Sequence, residues 1–231
     1  MVGPTGEKYH KAFFENRGFS LSAGYATLIG GWPKIKEDSN PFTEFHLDHD
    51  FGFPGYLHKR LLTLLKRPRI EQMLPYMLRD ARGHFDRIAK SPNGITEPFE
   101  TIYCAVFSFT MRTVACHEAA DNPELLEKVL HLYEWVEDRA TPSAVMFPWF
   151  PTISKLKKMY VGARLYRLFS RIKAARVKEN RREDDALQFL MDQGDNNLYI
   201  TSFILTSLFT GQLNTGVMAT WIVVELSLQP C

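Results

Sequence analysis

From Asn196 to Val224 the chain runs for 29 residues without a charged side chain or a proline. Nothing in such a run breaks the backbone ladder of a helix, and continuing it to Gln229 predicts one element about 50 Å long at 1.5 Å per residue. A rod of that length has two uses: as the spine of a protein core, or as a bilayer span whose small residues mediate packing in lipid. Thr201, Ser202, Thr206, Ser207, Thr210, Gln212, Asn214, Thr215 and Thr220 make it polar for lipid, and the upstream flank Asp192–Asp195 lacks basic anchors. Its middle is unusual, because Gly211 and Gly216 bracket Gln212, Asn214 and Thr215 in a helix where each glycine costs about 1 kcal/mol relative to alanine. Small residues and amides there suit a ligand or cofactor approaching the backbone.

The rest of the chain supplies partners for that rod. Of 231 residues 45% are hydrophobic, enough for the core of one domain, and the net charge of +2 shows no overall bias toward polyanions. The near-neutral total hides a basic rod. Residues 155–182 hold eleven Lys or Arg and only Glu179 as an acid, a balance of +10 that leaves −8 for the remainder. Leu156, Met159, Tyr160, Val161, Leu165, Leu168, Phe169 and Ile172 give it one apolar face, so it reads as an amphipathic helix with a solvated basic side, and no nucleic-acid partner is expected. The same charge suits anionic lipid headgroups, with Phe147, Trp149 and Phe150 of the proline-rich connector 141–151 dipping into the interface, so membrane-surface contact is expected through 141–182.

Helical spacing recurs elsewhere. Leu57, Leu61, Leu62 and Leu65 predict one amphipathic helix, and Met73, Leu74, Met77, Leu78, Ala81, Phe85 and Ile88 a second. Ser91–Gly94 reads as a turn. Residues 97–116 are apolar around most of the circumference, as a core helix is. Asp121-Asn-Pro-Glu124 opens a further helix, and Glu183-Asp-Asp185 caps a short one over Ala186–Gln193 that Gly194 ends. The first fifty-five residues read as short helical turns within loop. No strand alternation occurs, so the expected class is all-α, with helix 196–229 central and helices 97–116 and 155–182 packed on it. No signal-peptide pattern opens the chain, and Cys104, Cys116 and Cys231 cannot build a disulfide framework or a four-cysteine zinc site, which suits a reducing compartment. His46-Leu-Asp-His49-Asp50 gathers imidazoles and carboxylates without further ligands at metal spacing, so no metal site is expected.

The stretch Leu208-Phe-Thr-Gly-Gln-Leu-Asn-Thr-Gly-Val-Met-Ala-Thr-Trp221, with the order of elements before it, resembles the cytochrome P450 superfamily. Within it the resemblance is to fungal members related to sterol 14α-demethylase and to the cholesterol 7α-hydroxylase and prostacyclin synthase group. In that family a distal helix crosses the haem and carries a small residue, Gly, any residue, an acid, Thr, then Thr or Ser. Those places fall on Thr210, Gly211, Gln212, Leu213, Asn214 and Thr215, of which Gly211 and Thr215 keep the usual pattern. Glu183–Asp192 resembles the acidic, Leu-rich segment before the distal helix. The connector 141–151 and the basic rod sit where the family has its channel-covering loop and the long helix after it. The resemblance covers most of residues 56–231.

It implies a haem-thiolate monooxygenase, an oxidoreductase inserting one oxygen atom from O2 into a lipophilic substrate with electrons from an NADPH-dependent reductase, its full-length parent lying in the endoplasmic reticulum membrane. It implies catalytic roles for Asn214 and Thr215, haem contacts from Thr210 and Gly211, and substrate contacts from Ile204, Ser207 and Leu208. The family's Trp-x-x-x-Arg is absent, and Lys59 and Arg60 of His58-Lys-Arg60 are the cations placed to meet haem propionates. Leu213 cannot relay a proton and Asn214 donates a hydrogen bond without titrating, so protons would pass through Thr215 or ordered water. An Asn here occurs in hydroxylases and also in members that rearrange a substrate hydroperoxide. A haem-dependent hydroperoxide isomerase or dehydratase therefore stays open beside the monooxygenase, as does a non-enzymatic helical membrane protein.

The family's Phe-x-x-Gly-x-x-x-Cys-x-Gly loop has no counterpart around any cysteine here, and Glu179-Asn-Arg-Arg182 matches the letters of its Glu-x-x-Arg helix only within a charge run. The expectation is an incomplete P450 domain over 1–231, with the anchor and sheet before it and the haem-ligating part after it lying elsewhere. Such a chain is expected to be inactive alone, for want of the axial cysteine.

Overall fold

Phe53, Tyr56, Arg60 and Leu64 recur every three or four residues and all four are buried, which is the single stripe a surface helix turns toward a core. They lie on α1, Gly52–Leu64, the first element of a computed structural model that describes residue 11 and residues 52–91, 96–137 and 153–229. The expectations for the N-terminal segment, the His46–Asp50 cluster, the turn after Ser91, the connector 141–151 and Cys231 lie outside the described residues. After α1, Lys66 is extended and Pro68 stands in the first turn of α2, Arg67–Ala89, where its missing N–H costs no helix bond. Glu97 caps α3, Pro98–Val114, by accepting from the Phe99 amide at 3.0 Å. The short α4, His117–Asp121, leads into α5, Pro123–Glu137, whose Leu125 amide is capped by Asn122 Oδ1 at 3.1 Å.

The basic segment forms α6, Ile153–Glu179. Asp185 then caps α7, Ala186–Asp192, through the Gln188 amide. Gly194, at φ +77°, takes the left-handed turn that ends it, a conformation a side chain disfavours. Asn196 caps the Tyr199 amide at 2.9 Å and opens α8, Asn197–Gly211. A π-helical turn, Gln212–Gly216, joins α8 to α9, Val217–Leu228. Regular structure among the described residues is helical throughout, as the all-α expectation has it.

Helix α3 is the hub. It packs on α2, α4, α8, the π-turn and α9, while α8 also rests on α6, so the expected arrangement around the terminal element holds. Phe107 and Met111 of α3 meet Ile200, Phe203, Ile204 and Leu208 of α8, all fully or almost fully buried. Each such side chain contributes about 1.5–3 kcal/mol of burial. The α7 amide of Leu187 donates to the Ala115 carbonyl at 2.8 Å and ties the acidic segment to the end of α3.

Three expectations need correction. The terminal element is not one uniform buried rod: the π-turn divides it, and in α9 Met218, Trp221, Ile222, Leu226 and Leu228 are exposed, with Trp221 set edge-on to the Phe99 ring. Leu74, Leu78 and Phe85 of α2 are exposed because the helix packs chiefly on α3 and turns only a narrow stripe, Met73 and His84, fully inward. On α6 the buried apolar stripe is Val161, Leu165 and Phe169, whereas Leu156, Met159 and Tyr160 of its first turns face solvent. No described helix is long and apolar enough to cross a membrane.

Candidate functional site

The π-turn inserts one extra residue per turn, so side chains on either side of it fall out of helical register. Three successive residues of the open face are linked along the backbone: Thr210 Oγ1 donates to the Thr206 carbonyl at 2.9 Å, and Asn214 Nδ2 reaches the Thr210 carbonyl at 3.5 Å, the long limit of a hydrogen bond. Thr210, Asn214 and Thr215 are exposed together there. Ile204, Ser207 and Leu208, read from the sequence as substrate contacts, are buried. Thr210, Asn214 and Thr215 are thus each exposed, and Ile204, Ser207 and Leu208 are buried.

The opposite side of the turn explains its glycines. A Cβ on Gly211 would stand 2.9 Å from Thr110 Cγ2, and one on Gly216 would stand 3.2 Å from Gln212 Nε2 and 3.4 Å from the Tyr103 ring. The close approach that Gly211 permits is made here by Thr110 of α3. Between the glycines, the wholly buried Gln212 donates from Nε2 to the Tyr103 carbonyl at 2.8 Å, while its Oε1 accepts from no donor among the described residues.

Lys59 and Arg60 part company. Lys59 is exposed, while Arg60 is buried in a network in which its Nη2 meets Asp195 Oδ1 at 2.8 Å and its Nη1 meets Gln193 Oε1 at 2.7 Å. Tyr56 donates to the other Asp195 oxygen at 2.6 Å, and burial with that carboxylate pushes its phenol well above the ordinary value. Arg60 thus joins α1 to the turn before α8.

Neither described cysteine is poised to be a thiolate. Burial pushes the Cys116 thiol up to about 12, and burial with Glu100 and Glu134 raises Cys104. Among the described residues no cluster of three metal-ligating side chains forms. Sequence reasoning missed Gln212 as a packing residue, and it missed Arg112, wholly buried on α3 and paired with Asp80 and Asp121. One signal for Arg112 was legible: a lone cation in an otherwise apolar helix requires a buried acid. A cleft of about 840 Å³ opens beside that network, lined by His84, Arg87, Cys104, Ser108 and Glu127 among others, and sequence patterns gave no hint of it.

No family model matches the chain. It is 28% identical over 222 residues to cytochrome P450 monooxygenase AacuE of Aspergillus aculeatus, covering 95% of this chain and 43% of that protein. Cytochrome P450 monooxygenase dmxR5 of Cryptosporiopsis is 24% identical over 225 residues, 94% of this chain and 42% of its own. Cytochrome P450 monooxygenase claM of Passalora fulva is 27% identical over 224 residues, 94% and 40% respectively. The chain therefore spans about two fifths of the length of these curated fungal relatives. Along almost its whole length the chain is similar to fungal proteins named cytochrome P450 monooxygenase.

Proposed function

We propose that this chain forms the distal-helix part of a haem-thiolate monooxygenase that acts on a lipophilic substrate with O2 and an NADPH-dependent reductase. The observation that carries the reading is the π-turn at Gln212–Gly216, which falls on the stretch that resembles the family's oxygen-activating motif and leaves Thr210, Asn214 and Thr215 open on one face. Such turns inside helices occur frequently at functional sites.

The described residues fit the distal side of a haem and not its axial ligand. Hydroxyls and an amide at 210–215 suit a polar distal surface, whereas the raised Cys104 and Cys116 thiols do not suit a thiolate ligand. When bound, haem would supply the redox chemistry for activating dioxygen. The chain's own part is protonic and steric. Thr215, with a rotatable hydroxyl, both donates and accepts and is the group to pass protons, while the Asn214 amide orients a polar oxygen without titrating. Lys59 and Arg60 are the cations of α1 that the resemblance sets toward a propionate, and Arg60 also bonds Asp195. Ile204 and Leu208 would meet substrate only if α8 and α3 part, so first contact falls to Thr206, Thr210 and the outward side of α9.

The exposed amide of Asn214 favours one second reading, a hydroperoxide isomerase in which that amide orients the peroxide carried by the substrate. For the parent protein we further infer residence at the endoplasmic reticulum membrane, supported by Leu156, Met159 and Tyr160 exposed beside Lys157 and Arg164 at the start of α6. The test of the main reading is to add haem to the chain, reduce it and record the spectrum with carbon monoxide. Haem uptake without a thiolate-type band is expected. A stable thiolate-type band would show that the chain supplies its own axial cysteine, and no uptake by the chain or its full-length parent would sink the haem reading.

A further inference from the structure

Among the described residues, a side-chain hydrogen bond ties the π-turn to α3. Gln212 is wholly buried, and its carboxamide crosses from the terminal helix to the Tyr103 carbonyl on α3, 109 residues earlier in the chain. That carboxamide fills the space a side chain at Gly216 would need, and the Tyr103 ring closes over the same glycine at 3.4 Å from where its Cβ would be. One helical turn earlier, Gly211 lets Thr110 approach, and the Thr110 methyl is fixed because its hydroxyl is engaged with the Val106 carbonyl at 2.8 Å. Three contacts thus seat the inner side of the turn on α3, and Gln212 supplies the one hydrogen bond among them. The outer side of the same five residues is where Asn214 and Thr215 stand exposed.

We infer that Gln212 is the positioning residue of the distal face: its amide, by bonding the Tyr103 carbonyl, sets the extra residue of the π-turn and so fixes where Asn214 and Thr215 are presented. The role of those two residues rests on the reading of the preceding subsection, but the lock itself is a property of the fold. A polar group this deeply buried is retained by its partner, because losing the partner strands the amide in an apolar setting. Without the lock the turn has an alternative close at hand: the same residues in regular α-geometry, which shifts the register of everything beyond Gly211 by one residue.

Substitution at Gln212 separates the donor from the shape. Leucine is similar in size and cannot donate. Glutamic acid donates an O–H to the Tyr103 carbonyl when protonated, and when ionised presents a carboxylate to a carbonyl oxygen. The experiment is amide hydrogen exchange on the 231-residue chain, comparing wild type, Gln212→Leu, and Gln212→Glu at two pH values on either side of the introduced carboxyl's titration, with the intrinsic pH dependence of exchange divided out. Expected is that amides 213–217 exchange about tenfold faster in Gln212→Leu and in ionised Gln212→Glu, that protonated Gln212→Glu restores wild-type protection, and that amides of α3 and of residues 199–208 keep theirs. Equal protection of 213–217 in Gln212→Glu at both pH values, or unchanged protection in Gln212→Leu, overturns the proposal and assigns the turn to glycine packing alone. Should Gln212→Leu fail to fold, the glutamate comparison decides by itself. A parallel sample of wild type with added haem tests the other reading: absence of new protection at 214 and 215 counts against the haem face while leaving the Gln212 lock intact.

Discussion

The guanidinium of Arg176, wholly buried on α6, donates from two nitrogens to the carboxylate of Asp185, wholly buried at the N-cap of α7. The same carboxylate accepts from the amides of His117 and Gln188, and the same arginine reaches Glu118, so one ion pair fastens α6, α4 and α7 together. Removing the cation leaves a buried carboxylate without its partner, a loss of about 3–5 kcal/mol. Arg176→Met should therefore lower the urea midpoint strongly. Arg182→Met, at the exposed pair with Asp192, should cost under about 1 kcal/mol. Equal effects would show that the burial of the first pair carries no energetic weight.

Acid should loosen the same corner. Burial alone would raise the Glu118 carboxyl, but hydrogen bonds from Arg176 hold it below its ordinary 4.5, and Arg112 and Arg79 likewise bring Asp121 below 3.8. A folded-state pKa below the unfolded one adds stability that is present in full above the unfolded value and is lost as pH falls through the folded one. Unfolding free energy is expected to hold level down to about pH 4.5 and then to decline, the decline being shallower in Glu118→Gln. Denaturant titrations across that range give the slope directly. A variant that falls as steeply as wild type would remove Glu118 from the account.

Gly211→Ala should strain the α3 contact, since the added Cβ meets Thr110 Cγ2 at 2.9 Å and that methyl is held by the threonine's own hydrogen bond. Overpacking of this kind costs about 1–3 kcal/mol. Thr110→Ser removes the offending methyl and keeps the hydroxyl, so the double variant should regain most of the loss. Thermal melts of the four proteins form a double-mutant cycle, and purely additive effects would mean that the two residues do not touch.

Asn214 is the residue on which the two chemistries proposed for the full-length parent differ. For a monooxygenase, changing Leu213→Asp with Asn214→Thr restores the family's acid and threonine, and NADPH-driven turnover should hold or rise. In a hydroperoxide isomerase the Asn214 amide contributes an orienting hydrogen bond of roughly 0.5–1.5 kcal/mol net, and the double change should lower hydroperoxide turnover about two- to tenfold. Full-length protein assayed with reductase and NADPH, or with a fatty-acid hydroperoxide and neither, decides the matter. Hydroperoxide turnover without reductase that falls by that factor on Asn214→Thr would overturn the monooxygenase reading.

The start of α6 should bind anionic membranes. Leu156, Met159 and Tyr160 are exposed among basic residues, an arrangement suited to an interfacial helix. Cosedimentation with phosphatidylserine vesicles should exceed that with phosphatidylcholine, and Leu156→Asp with Met159→Asp should reduce it. Equal binding to both lipids would leave the basic residues without a lipid role.

Sequence alone determined which segments are helical, because spacing, caps and proline positions are local properties: Asn122 and Asp185 cap where their neighbours say, and Gly194 stops α7 by taking a conformation other residues avoid. It also marked Gly211 to Thr215 as unusual, since glycines and amides in an apolar helix are costly wherever they occur. What it did not determine is which way those residues face. Helical spacing groups residues by direction without naming the neighbour, and a π-turn changes the grouping halfway along. Only the packing of α3 against the terminal helix assigned Gly211 and Gln212 inward and Asn214 and Thr215 outward. Arg60, Arg112 and Arg176 show the same limit from the side of charge. None of the three names its partner in sequence, and each is buried against a carboxylate, up to 135 residues away, that the fold delivers.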